Sequence, residues 1–189
     1  GLAVIGDIGG DILPLEVTTF KGSGSINITG NLEAMMKESG QIAVTHVHSF
    51  AKDYGIDESV FKDTTINVHF PDAAPKDGNS AGIAMSIGII SVLTGRKVNC
   101  DVAMTGEVSL MGKALPIGGV QEKIIGAARA HMKKVLLPYA NKEELDRVPS
   151  EVKDKLEIVL INTVGDAVKH ALLPLETKDE VSQGLGVHG

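Results

Sequence analysis

Cysteine occurs once, at Cys100, in a chain of 189 residues, which excludes an internal disulfide scaffold and a cysteine-only zinc site. A lone thiol fits a reducing compartment. Tryptophan is absent and aromatics make up 3% of the residues, which leaves few platforms on which single-stranded bases could stack. Positive charge is in short supply: 18 Lys and Arg stand against 24 Asp and Glu, for a formal net charge of −6. Nonspecific affinity for nucleic acid comes from basic residues, so this balance argues against such a partner. No apolar run reaches the roughly 18 residues of a membrane span. The longest, residues 81–93, is interrupted by Gly82, Ser86, Gly88 and Ser91. The start, GLAVIGDIGG, lacks the basic flank of a signal peptide. Gly1 in place of Met reads as a fragment or a processed chain.

What is present suits a folded domain. Hydrophobic residues make up 43% and charged residues 22%, an ordinary globular balance. The length fits one domain, or two small ones, with a core that needs no staples. Residues 2–6 and 11–17 read as a hairpin around a Gly-rich turn. Gly24 to Thr29 alternates as a half-buried strand does. Asn31 is placed to cap a helix over 32–54. Strands are expected at 64–70, 102–104, 114–117, 135–137 and 158–161. Helices are expected at 80–93, 119–132 and 164–173, with a short one from Asn141. The methionines at 35, 36, 85 and 104 read as core filler. Strands and helices mix without strict alternation, so the class is α/β or α+β: a mixed sheet with packed helices in a single compact unit. The unit is expected over 1–174, and a polar, Gly-rich tail over 175–189.

The most informative segment is PKDGNSAG at 75–82, a loop that delivers Ser80 to the opening of an apolar helix. The first N–H groups of a helix lack internal partners, and the dipole adds positive potential there. Ser80 then has two available roles. It can cap the helix, or it can serve as a nucleophile beside donors able to hold an oxyanion. A nucleophile needs a base. Lys123 lies in the first turns of the helix after Gly118-Gly119, where the helix N-terminus and burial both oppose its ammonium form. A neutral amine can take a proton from a serine hydroxyl. The plainer role for Lys123 is a solvated surface charge.

These two segments together resemble the proteolytic domain of Lon proteases. The first block is PKDGNSAG at 75–82; the second is TGEVSL at 105–110, LPIGG at 115–119 and EK at 122–123. The resemblance extends from GLAVIGD at the start to the helix near 173. It implies a Ser–Lys dyad peptidase with Ser80 as nucleophile and Lys123 as general base. It further implies that Thr105 positions the Lys123 amine, that Asp77 lies close to the dyad, and that His69 matches a family histidine. The chain departs from the common pattern at Asn79, where many members have Pro, at Gln121 and at Phe70. The resemblance implies no cofactor and no metal in this domain. For the parent chain it implies an ATPase module using ATP and Mg, a homo-hexameric ring, and unfolded proteins or peptides as substrates in quality control. The expected location is cytoplasmic, with the parent chain free or anchored to the cytoplasmic face of a membrane. The ATPase module would lie upstream, because no G-x-x-x-x-G-K-[ST] occurs here; Gly106 to Lys113 comes near but has five residues between its glycines.

Other chemistries fit parts of the same segments. Gly78 to Gly82 also satisfies the G-x-S-x-G elbow of a Ser-His-Asp hydrolase, with Asp101 or Asp146 and His170 as partners. The 75–82 loop could instead hold phosphate, as in a small-molecule kinase, although Asp77 would repel it. A non-catalytic module with Ser80 as a mere cap is the third class. Two S-x-x-K matches, Ser49 to Lys52 and Ser150 to Lys153, lack the motifs that would make them a β-lactamase site. His46 and His48, at i and i+2 of a helix, diverge and do not suit one metal.

Overall fold

A computed structural model describes residues 6–8 and 11–176, the first three as backbone. The expected tail over 175–189 therefore lies outside the described residues, apart from Leu175 and Glu176, as do residues 2–5 of the first expected run.

The chain opens with a hairpin, β1 (Gly6–Ile8) paired antiparallel with β2 (Asp11–Leu13). Strands β3 (Glu16–Lys21) and β4 (Ile26–Thr29) follow. Helix α1 spans Ala34–Ser49, and a 3-10 turn spans Ala51–Tyr54. A single-turn helix, α2 (Val60–Asp63), leads into β5 (Thr64–His69). Strand β5 is the centre of a three-stranded sheet ordered β3-β5-β4, antiparallel to β3 and parallel to β4.

Helix α3 (Gly82–Thr94) is apolar all round, and Gly82 to Ser91 are all buried. Its serines are satisfied locally: Ser86 Oγ donates to the Gly82 carbonyl at 2.9 Å, and Ser91 Oγ to the Arg96 carbonyl at 2.6 Å. The chain continues through β6 (Val102–Met104), β7 (Glu107–Val108), β8 (Ala114–Leu115), α4 (Val120–Arg129) and β9 (Lys134–Pro138). A 3-10 segment (Tyr139–Arg147) and α5 (Ser150–Lys153) lead to β10 (Glu157–Ile161) and α6 (Val164–Ala171).

Strands β6, β9 and β10 form a parallel sheet ordered β10-β9-β6. Its residues alternate between two cores. Val102, Met104 and Leu136 join the larger cluster with α1, α3 and α6. Ala103, Val135 and Leu137 join the smaller one with Val120, Ile124 and Ala127 of α4. A parallel sheet covered on both faces reads as continuous apolar runs, which is why VAM and VLL show no alternation in the sequence. Helices α3 and α4 thus lie on opposite faces of β6. Among the described residues no helix is long and apolar enough to cross a membrane.

Two sequence expectations are corrected. Asn31 does not cap α1: its backbone is left-handed (φ 58°), its Nδ2 donates to the Ala73 carbonyl, and the N-cap is Glu33. Asn31 instead makes the turn that sends the chain into the helix, a conformation Asn tolerates better than most residues. Met35 is not core filler: it is 50% exposed, whereas its neighbour Met36 is fully buried. Adjacent helical residues cannot share a face. Met85 and Met104 are buried as expected.

Candidate active site

The site lies just beyond the carboxyl end of β6, the edge of a parallel sheet at which α/β folds place their ligands. Thr105 follows β6 directly, and its N–H extends the sheet pairing to the Leu136 carbonyl at 3.1 Å. From one face of the sheet α3 brings Ser80, which sits one residue before the helix N-cap, Ala81. From the other face α4 brings Lys123 in its first turn and a half. Gly119 makes the sharp entry to α4 in the left-handed region (φ 70°), where a side chain would be strained.

The three residues meet through Thr105. Lys123 Nζ donates to Thr105 Oγ1 at 3.4 Å, and Thr105 Oγ1 donates to the Ser80 carbonyl at 3.4 Å. Thr105 is 1% exposed and Lys123 7%. The Gly106 N–H also donates to the Ser80 carbonyl, at 2.9 Å, and the Gly106 carbonyl accepts the Ile83 N–H at 3.0 Å. Ser80 is therefore stitched by its main chain to the segment that carries Thr105. Its side chain is not the cap of α3, because Ala81 holds that position without any side-chain cap bond. The capping role available to Ser80 in the sequence is not the one it takes.

Close approach makes this stitching possible. A Cβ on Gly82 would lie 2.8 Å from Val108 Cγ1 and 3.0 Å from the Val108 backbone nitrogen. The glycine of the SAG triplet thus lets the first turn of α3 rest directly on β7.

The other sequence candidates take different places. Asp77 is exposed, and its Oδ1 accepts the Met36 N–H at 3.1 Å, in the first turn of α1. His69, half-buried, ends β5, and its Nδ1 is 2.8 Å from Thr29 Oγ1 on β4. His46 is buried, with Nδ1 on the Leu110 carbonyl at 2.9 Å and Nε2 on the Tyr54 hydroxyl at 2.6 Å; His48 stacks on Phe61.

Sequence reasoning gave no role to two residues inside its own motifs. Lys76 is 5% exposed, and its ammonium donates to the carbonyls of Gly30 at 3.0 Å, Ala74 at 2.6 Å and Asp72. Its main chain also bonds Asn31 and Glu33, so it fastens the loop before Ser80 to the entry of α1. Glu107 accepts a bond from Asn79 Nδ2 at 2.7 Å. The only sequence signal for either was membership of the PKDG and TGE blocks, which does not reveal burial or partner.

A family model for the Lon protease (S16) C-terminal proteolytic domain matches residues 1–174. Among curated proteins, the Lon protease of Desulforamulus reducens is 45% identical over 174 residues, covering 92% of this chain and 22% of that protein. The Lon protease of Brucella abortus is 48% identical over 168 residues, covering 88% of this chain and 21% of that protein. The Lon protease of Rhizobium meliloti is 46% identical over 170 residues, covering 89% and 21%. The chain spans about a fifth of the length of these relatives. With a family match over 1–174 and close relatives across most of its length, the chain belongs to the Lon protease C-terminal proteolytic domain family.

Proposed function

We propose that the chain is a serine endopeptidase in which Ser80 and Lys123 form a catalytic dyad. The observation that carries this reading is the Lys123–Thr105–Ser80 hydrogen-bond chain at the carboxyl end of β6, with the Ser80 side chain not used as a helix cap. Ser80 Oγ attacks the scissile carbonyl while the neutral Lys123 amine takes its proton, giving an acyl-enzyme. The resulting ammonium returns a proton to the leaving amine, and water then hydrolyses the ester. Thr105 orients the amine by accepting one of its N–H groups. Backbone N–H groups around Ser80 hold the oxyanion.

The family supports the wider proposals. The substrates are unfolded proteins or peptides. The parent chain carries an ATPase module that uses ATP and Mg, assembles as a homo-hexamer and works in the cytoplasm in protein quality control. This domain needs no cofactor or metal of its own and binds no nucleic acid. The hydrolase-elbow alternative needs a strand running straight into the serine. Residues 70–79 separate the end of β5 from Ser80, which weighs against it.

The test is covalent labelling with a serine-reactive phosphonate followed by peptide mapping. The expected result is one adduct, on Ser80, lost in Ser80→Ala. An adduct on another serine, or none, overturns the assignment.

A further inference from the structure

We propose that Asn79 is a positioning residue for Ser80, acting through the carboxylate of Glu107. This rests on the reading of Ser80 as the nucleophile.

The segments 79–80 and 105–107 run side by side. Ser80 itself is held at one atom: the Gly106 N–H and Thr105 Oγ1 both donate to its carbonyl oxygen. A single anchoring point fixes where the residue is but leaves the chain before it free to swing, and with it the direction of the Ser80 side chain. Asn79 supplies a second anchor on the N-terminal side. Its Nδ2 donates to Glu107 Oε2 at 2.7 Å, and its own carbonyl accepts Ser39 Oγ and the Gly82 N–H, each at 3.4 Å. Both ends of Asn79 are thus engaged, one with β7 and one with α1 and α3.

The strongest of these contacts is the one to the carboxylate. Hydrogen bonds with an ionised acceptor are shorter and stronger than neutral ones, and both partners here are half-buried. Glu107 lies two residues beyond Thr105, on the same short segment that holds Lys123 in place. The Asn79–Glu107 bond therefore ties the residue before Ser80 to the same 105–107 segment whose Thr105 bonds Lys123, and this segment runs into β7, which α3 touches closely at Gly82 and Val108. In this chain the Asn79 amide supplies the N–H donor that the acceptor oxygens of Glu107 take.

The experiment compares the 189-residue chain with Asn79→Asp, Glu107→Gln and the double variant, by peptide hydrolysis, phosphonate labelling rate at Ser80 and thermal midpoint. Asn79→Asp sets two carboxylates against each other, and kcat and labelling rate should both fall, by roughly tenfold to a hundredfold, with little change in KM. Glu107→Gln keeps an acceptor for Asn79 and should cost only a few-fold. In the double variant the amide now at position 107 donates to the carboxylate now at position 79. The bond returns with its polarity reversed, and the rate should recover to within a few-fold of the parent. The thermal midpoints should not track these rates. No recovery in the double variant, or rates that follow the thermal midpoints, overturns the positioning role while leaving Ser80 as nucleophile. If Ser80 in the parent chain takes no adduct, the nucleophile reading fails and the proposal falls with it.

Discussion

Asp77 Oδ1 accepts the N–H of Met36 at 3.1 Å, so the carboxylate of the PKDG loop closes the first turn of α1 across 41 positions of sequence. An intrahelical cap does this locally; here Glu33 provides none, and a distant loop does it instead. The contact links two levels: the helix gains an acceptor for one orphan donor, and the loop that leads to Ser80 gains an attachment to the core.

Asp77→Ala should therefore destabilise the fold by about 0.5–2 kcal/mol, the usual cost of losing a cap. Asp77→Asn keeps an acceptor and loses only the attraction of a charge to the helix dipole, about 0.3–1 kcal/mol, and less at high salt because Asp77 is exposed. Urea midpoints for the two variants at low and high salt measure both effects. Equal losses in Ala and Asn would mean that the charge alone matters and would overturn the capping argument.

Ser80→Ala should abolish peptide cleavage and change stability by less than about 0.5 kcal/mol, as substitutions away from caps and cores do. The stability half of this expectation comes from Ala81, which holds the N-cap position of α3. Activity assays and denaturant melts on one preparation check both halves. A loss of more than about 1 kcal/mol would mean that the hydroxyl has a structural partner after all.

Lys123→Arg should be as inactive as Lys123→Ala. Arginine keeps the positive charge but does not deprotonate in any useful pH range, so it cannot act as a base. A lysine that served only as a donor to Thr105 Oγ1 would be replaced at least partly by arginine. Peptide hydrolysis by the Arg variant decides between the two; an active variant moves the search for the base to His69.

The sequence revealed local structure more readily than long-range contacts, and the reasons differ by residue. The places of Ser80 and Lys123 near the starts of α3 and α4 were legible because both signals are local: a Gly-containing loop or Gly pair, then the opening of a helix. Helices α3, α4 and α6 were legible for the same reason, each with its own apolar pattern or stop. The cap of α1 was not, because Asn31 looks like a cap and only the left-handed backbone shows that it is a turn residue. Strand β7 is two residues long and too short to show a period, so Glu107 was quoted within TGE without a partner. Burial of Lys76 was invisible, since a lysine between Pro75 and Asp77 reads as exposed loop. In each case the missing information is a contact made between residues far apart in sequence.

Lys76→Met should destabilise the fold by about 1–3 kcal/mol, because the apolar side chain fills the site but leaves carbonyls of Gly30, Asp72 and Ala74 without their donor. The damage should concentrate in the 72–76 loop and at the entry to α1. Amide exchange checks this: the N–H groups of Glu33 and Lys76, both bonded across this junction, should lose protection before the core of α3 does. Uniform loss across the chain would instead point to a general weakening of the core.

The Tyr54 hydroxyl sets a stability change at high pH. Burial, and then the neighbouring Asp53, push its pKa from 10.0 up to about 12. The protonated hydroxyl is what His46 Nε2 meets at 2.6 Å, while the same ring's Nδ1 meets the Leu110 carbonyl, so Tyr54 helps tie α1 to the turn between β7 and β8. In the unfolded chain the group titrates near 10. Between the two values the native state holds a proton that the unfolded state has lost, so stability falls as pH rises. The contribution is complete below about pH 10 and is gone above about pH 12. Tyr54 is only half-buried, so solvent screening reduces the energy involved, but the direction is fixed by the sign of the shift. The chain has two tyrosines and no tryptophan, so phenolate absorbance is easily read. In Tyr139→Phe the remaining phenol should titrate near 12, and in Tyr54→Phe the fall in the denaturant midpoint between pH 10 and 12 should shrink. A phenol that titrates near 10 in folded Tyr139→Phe would show that Tyr54 is not held in this way, and the tie to His46 would lose its pH dependence.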